Sequence, residues 1–207
     1  DEALNKALAL AESTNDASLL GDIFDALGFS LHVQFIGSDR NQEPENELAY
    51  FERGLELRKK GGTKQQVAES LFHVGLVFDV IRKEYDKAEP YHQQAYSMAL
   101  EAGDKVIASY AIRHLGFTYI ANKDFDTARQ MLQESLELRE EAGFTAGIAF
   151  ALAALAHLES LSGNKAAALS LLKRSRSILE SLGATSRVAW IDNHIASLSE
   201  AQSNTDD

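Results

Sequence analysis

RHLGFTYIANKDFDTARQMLQESLELREEAG, residues 113–143, holds the pattern that decides the fold. A Leu-Gly pair stands at 115–116 and an aromatic follows at Tyr119. A polar break fills 121–124, then come an Ala-Arg pair at 128–129, a Ser-Leu-x-Leu run at 135–138 and a closing Gly143. Ile112, Leu115 and Tyr119 recur at helical spacing before the break. Phe125, Ala128, Leu132, Leu136 and Leu138 do so after it. Asp124 is placed to cap the second helix and Gly143 to end it. The stretch therefore predicts two helices packed back to back.

The same unit recurs along the chain. Gly103, Gly143 and Gly183 are 40 residues apart, as are Ala88, Ala128 and Ala168. LELRKKGG at 55–62 echoes LELREEAG at 136–143, and Leu27-Gly28 and Val74-Gly75 match Leu115-Gly116. Asn15 stands where Gly103 stands and is the next-best helix terminator. Asn164 takes the capping place of Asp124. Gly28, Gly75 and Gly116 fall inside helices, at a cost of about 1 kcal/mol each relative to Ala. Close approach of a partner helix accounts for that cost. Repetition at this period is the mark of a solenoid.

These residues resemble the tetratricopeptide repeat family: Leu-Gly-x-x-Tyr in a first helix, Ala and spaced apolar positions in a second. The 40-residue period is similar to the long variant of kinesin light chains and of sensor arrays in bacterial regulators. The resemblance spans about residues 1–200 and implies an all-α, right-handed superhelix of about ten antiparallel helices. The expected organisation is a single repeat domain over 1–207. It holds an orphan helix at 2–14, pairs at 17–36/46–60, 63–82/85–102, 105–121/125–142 and 145–162/165–182, a terminal helix at 186–201 and a polar tail at 202–207. The segment 37–46 lengthens one connection, and Pro90 predicts a kink or late start in its helix.

Composition narrows the function. The 207 residues are 45% hydrophobic and 25% charged, with a net charge of −11. That charge repels phosphate backbones and disfavours nucleic acid as a partner. With no cysteine there is no disulfide, thiolate nucleophile or Cys-ligated zinc, which fits a cytoplasmic setting. No uninterrupted apolar run of membrane-spanning length is present. The chain opens at DEALNKALALAES rather than at a Met, which suggests a piece of something larger.

In the family's geometry, one stripe of each first helix lines the concave groove. It carries Asp22, Asp25, Phe29 and His32, then Glu69, Phe72, His73, Leu76 and Asp79, then Tyr110, Arg113, His114 and Phe117, then Phe150, Ala153 and His157, and last Trp190, Asn193 and His194. Five of six histidines lie on it, His92 being the exception. Aromatics, acids and imidazoles suit an extended peptide or a flat ligand. The expected ligand site is Glu69, Phe72, His73, Asp79, Tyr110, Arg113, His114, Phe117, Phe150, His157, Trp190, Asn193 and His194. Arg113 is expected to orient an acceptor and the acids to attract an amine. The Lys-Asn grip that some members of the family place on a C-terminal carboxylate has no Lys at the matching turns, Asp22/Ala26, Glu69/His73 and Tyr110/His114.

The leading expectation is a non-enzymatic scaffold that binds a neutral or basic protein or peptide segment and needs no cofactor, metal or membrane; self-association is open. The alternative is a ligand-sensing module of a larger bacterial regulator that binds a signal peptide or small molecule. A third reading gives the groove histidines a metal or catalytic role: His73 and His114 occupy equivalent places on adjacent helices, but no H-E-x-x-H, nucleophile elbow or phosphate loop accompanies them. The charged second helices, with Glu137 and Arg139, read as a solvated outer face, and Lys173-Arg174-x-Arg176 as part of it.

Overall fold

The computed structural model describes residues 2–13, 16–38 and 42–203. Asn15, residues 39–41 of the long connection and 204–207 of the polar tail lie outside them. The fold is all-α, with no strand among the described residues. In chain order the helices are α1 (Glu2–Glu12), α2 (Ala17–Gly37), α3 (Glu47–Gly61), α4 (Lys64–Leu76), α5 (Tyr85–Glu101), α6 (Lys105–Ala121), α7 (Phe125–Glu141), α8 (Thr145–Leu161), α9 (Lys165–Ser181) and α10 (Thr185–Ser203). The chain forms two compact units, Asp1–His114 and Leu115–Asp207, and the division falls within α6.

A 20-residue beat underlies the 40-residue one. Lys83, Gly103, Lys123, Gly143, Gly163 and Gly183 all have positive φ, between 58° and 80°. After each, the next amide turns back to a carbonyl of the helix just finished: Asp104 to Ala99 at 2.8 Å, Asp124 to Tyr119 at 2.9 Å, Phe144 to Arg139 at 2.9 Å, Asn164 to Glu159 at 2.8 Å. This is the six-residue hydrogen bond of a helix that stops in a left-handed residue. Asp124 caps α7 as expected, accepting from the Thr127 amide. Asn164 does not cap α9. Its side chain reaches back and donates to Glu159 instead.

The interior glycines are close contacts. A Cβ on Gly28 would meet the Phe51 ring at 2.7 Å, one on Gly75 the His92 ring at 2.5 Å, and one on Gly116 the Leu132 side chain at 2.8 Å. In the first unit the core gathers around Phe51, Leu71, Val74 and Val77. In the second it gathers around Leu132, Leu152, Leu155 and Leu158, with Leu172, Leu179 and Ile191 beyond.

α4 runs into a π-helical turn, Val77–Ile81. Lys64 and Lys105 open their helices 41 residues apart, whereas Lys105, Thr145 and Thr185 are 40 apart. The π turn takes up the one extra residue, as such turns do. Asp79 sits on it. The late start expected at Pro90 does not occur: α5 begins at Tyr85 and continues through the proline. Pro90 forgoes only the bond to the Asp86 carbonyl, one turn from the helix start.

The outer-face reading of Arg139 is corrected. Its side chain is fully buried, and Nη1 donates to the Gly147 carbonyl at 2.6 Å. Arg58, at the same place in the earlier LELR run, donates to the carbonyl of Gln66, also eight residues on. Each arginine ties a second helix to the first helix that follows. Glu137 is exposed, as expected.

By length and composition α2 alone among the described helices could cross a membrane. It also packs on α3 through Gly28, and its Asp22 and Asp25 pair with Arg58, at 2.9 and 3.3 Å.

Candidate functional site

In the first unit the predicted groove acids and histidines are joined to one another rather than left open. Phe72, His73, Asp79 and His114 are buried, while Glu69, Tyr110 and Arg113 are partly exposed. His32 meets Glu47 at 2.7 Å, both buried. Asp25 accepts from Ser70 at 2.9 Å and from His73 Nδ1 at 2.8 Å, beside the Arg58 guanidinium. Asp79 Oδ2 meets His114 Nδ1 at 2.6 Å and His92 Nε2 at 3.1 Å. Phe72 lies among His73, His92, Tyr110 and His114, with ring centroids 5.3–5.7 Å away.

His73 and His114 therefore do not share a site. Each answers a different carboxylate, and the partner of His114 is His92, the histidine that lay off the stripe. His92 packs flat on Gly75, where the neighbouring pairs put Phe51 and Leu132. It is a polar residue in a core place, held there by Asp79.

The protonation pattern follows from the contacts. Burial pushes Asp79 up, but the charge and hydrogen bonds of His114 and His92 outweigh it and hold the carboxyl below its usual range. Burial pushes Asp25 up as well, and His73, Arg58 and Ser70 outweigh it. Burial takes His114 down to about 4; Asp79 opposes this, and Arg113 and His92 add to it. Arg113 Nη2 lies 2.9 Å from His114 Nε2, so that nitrogen accepts and Nδ1 carries the proton to Asp79. Asp79, His92 and His114 offer three atoms within 4.8 Å, the compact set among the described residues that a cation could use. A cation on His114 Nδ1 would move the ring proton to Nε2, where the Arg113 guanidinium donates; as the side chains stand, they form a hydrogen-bonded tie between the π turn, α5 and α6.

That tie should be acid-labile. His114 regains its ordinary value near 6.5 on unfolding, so between pH 6.5 and 4 the unfolded chain binds the proton more readily. The stability is present above pH 6.5 and is lost as pH falls toward 4; Asp79 adds a further loss below its own ordinary range. Thermal melts at pH 7.5 and 5.0 should show the acid shift, and His114→Gln should flatten it.

The second unit places its candidates differently. His157, Trp190, Asn193 and His194 are exposed, and Phe117 and Phe150 half-buried. Trp190 and His194 lie with ring centroids 4.1 Å apart, and His194 Nδ1 donates to the Trp190 carbonyl at 2.8 Å. Arg187, absent from the sequence-based set, stands 5.6 Å over the Phe150 ring. Burial and the neighbouring His194 hold His157 below its usual value. Phe150 and His157 on α8 thus meet the Arg187, Trp190 and His194 row of α10. Arg176 on α9 pairs with Asp192 at 2.7 Å rather than standing free in its basic run.

Comparison with known proteins agrees with the repeat. The tetratricopeptide repeat model matches residues 107–181. This stretch carries the tetratricopeptide repeat. Among solved structures the chain is similar to BtubC (BKLC) from P. vanneervenii, at 19% identity and TM-score 0.67, covering 87% of this chain and 72% of that one. It is similar to the apo form of RapI, at 18% identity and TM-score 0.72, covering 90% and 66%. It is also similar to aspartyl phosphate phosphatase F from Bacillus subtilis, at 13% identity and TM-score 0.63, covering 94% and 55%. The chain thus spans about half to three-quarters of the length of these structures. No curated protein sequence matches it.

The residues that the sequence-based set lacked fall into two groups. His92, Arg58 and Ser70 serve the buried ties of the first unit. Arg187 joins the exposed row of the second. The one available signal was the LELR run at 55–58 and 136–139, whose repetition marks the arginine as part of the repeat.

Proposed function

We propose that this chain is a non-enzymatic cytoplasmic scaffold that binds a protein or peptide segment, with the α8–α10 row as a working contact surface. The observation that carries the proposal is the exposed Trp190–His194 pair beside Phe150 and Arg187. Exposed, pre-positioned aromatics and arginine are the side chains that anchor interfaces. The fold supports the reading, because stacked helix pairs leave their chemistry on the surface. One similar structure is named a phosphatase, which raises a catalytic alternative. The buried His–carboxylate pairs argue against it here, since each imidazole already answers an internal carboxylate and a substrate would have to open the core. The charge of −11 favours a neutral or basic partner.

Affinity capture on the full chain, followed by mass spectrometry of proteins and peptides, tests this. Trp190→Ala with His194→Ala should lower capture of the principal partner at least tenfold, with the melting curve unchanged. Glu137→Ala should have no effect. Equal capture by the double variant would remove the α8–α10 row from the account.

A further inference from the structure

The two histidines of the α8–α10 row differ from the other four. His32 meets Glu47, His73 meets Asp25, and His92 and His114 share Asp79. His157 and His194 are exposed and meet no carboxylate among the described residues. They stand 37 residues apart, as Phe150 and Arg187 do, seven residues further along the same two helices. The register that sets Arg187 over Phe150 thus brings the two imidazoles to one place on the row, near enough that a charge on His194 opposes one on His157. His194 commits its Nδ1–H to the Trp190 carbonyl at 2.8 Å, which leaves Nε2 of the neutral ring as an acceptor.

Among the described side chains of these helices, no acid is left to balance a charge there. Glu159 on α8 is taken by Arg129 of α7 and by Asn164, at 2.9 and 2.7 Å. Asp192 on α10 and Glu180 on α9 are taken by Arg176, at 2.7 and 2.9 Å. The other charged residues of α9, Lys165, Lys173 and Arg174, are positive, and so is Arg187 on α10. Imidazole changes charge between pH 5 and 8, and in doing so turns its one acceptor into a second donor. We propose that acid switches this row off: protonation of His157 and His194 converts two acceptors into charged donors beside Arg187 and releases the neutral or basic segment held there at neutral pH. The inference rests on the α8–α10 row being the working surface. Burial and the charge of His194 hold His157 below its usual value, so the second charge comes on at a lower pH than the first. The switch is separate from the acid-labile tie of the first unit, whose histidines act on stability.

The probe is the set of proteins retained on the immobilised full chain at pH 7.5, then washed at pH 7.5 or 5.5 at one ionic strength. Circular dichroism at both values confirms a folded chain. The partner enriched at pH 7.5, identified by mass spectrometry, should be retained at least tenfold less at pH 5.5. His157→Gln with His194→Gln supplies amide acceptors that do not titrate, so whatever this variant retains at pH 7.5 it should keep at pH 5.5. His157→Gln alone serves if the double variant retains nothing, and should show a smaller acid loss than wild type. Trp190 is the one tryptophan of the chain, and its ring centroid lies 4.1 Å from that of His194. Its fluorescence should fall from pH 7.5 to 5.5, as the charged imidazole quenches it, and stay level in His194→Gln. Equal or greater retention by folded wild type at pH 5.5, an undiminished acid loss in the Gln variant, or unchanged wild-type fluorescence overturns the proposal. The two readings fail apart. Full retention by Trp190→Ala with His194→Ala removes the row and the switch with it, whereas a partner lost by that variant but held by wild type at pH 5.5 removes the switch alone.

Discussion

Arg139→Ala is expected to lower the unfolding free energy by about 3–5 kcal/mol, the range for emptying a large, fully buried site. Arg139 leads the fully buried side chains in size. Truncation removes the packing of its stem and leaves the Gly147 carbonyl without its charged donor, which adds to the cost. Arg139→Met restores much of the volume but not the donor, and should recover part of the loss. Glu137→Ala, two residues away and exposed, should stay within about 0.5 kcal/mol of wild type. Urea unfolding followed by circular dichroism measures all three. A loss below about 1 kcal/mol for Arg139→Ala would show that the guanidinium does not tie α7 to α8.

Asp79→Ala should cost a similar amount, about 3–5 kcal/mol, because one member of a buried charged network is removed and the others stay. Two imidazoles lose their common acceptor, and Arg113 loses the nearby counter-charge. Asp79→Asn keeps one oxygen acceptor and should fall between. In both variants the difference between melts at pH 7.5 and 5.0 should persist, since burial lowers His114 and Asp79 opposes that lowering. Thermal melts across that range check the prediction. An unchanged melting temperature in Asp79→Ala would mean that the carboxylate holds nothing together.

The helices were legible because their signals are local. Leu27-Gly28 and Leu115-Gly116 announce close helix contacts by position alone, and Gly103, Gly143 and Gly183 announce stops. Lys83 and Lys123 take the same left-handed conformation without the glycine that would reveal it. The π turn hid for a related reason: one extra residue in α4 looks like imprecision in a repeat boundary. The site was legible as a row of residue types but not as a set of partners. His73 finds Asp25 from 48 residues away, and His114 finds Asp79 from 35. No local pattern distinguishes a histidine that faces a groove from one that faces a carboxylate on the next helix. Arg139 misled in the opposite sense. Its run, LELREE, has the charge density of a solvated face, and only packing against the following helix shows that the arginine points inward.

We propose that stability rests on the buried His–carboxylate ties and binding on the exposed row of α10. Melting temperature and partner capture measured side by side on Asp79→Asn and Trp190→Ala test that division most directly. The predicted result is a lowered melting temperature with capture by the remaining folded protein retained in Asp79→Asn, and an unchanged melting temperature with capture lost in Trp190→Ala. Capture lost in folded Asp79→Asn and retained in Trp190→Ala would contradict it, and would place the working surface at the histidines of the first unit.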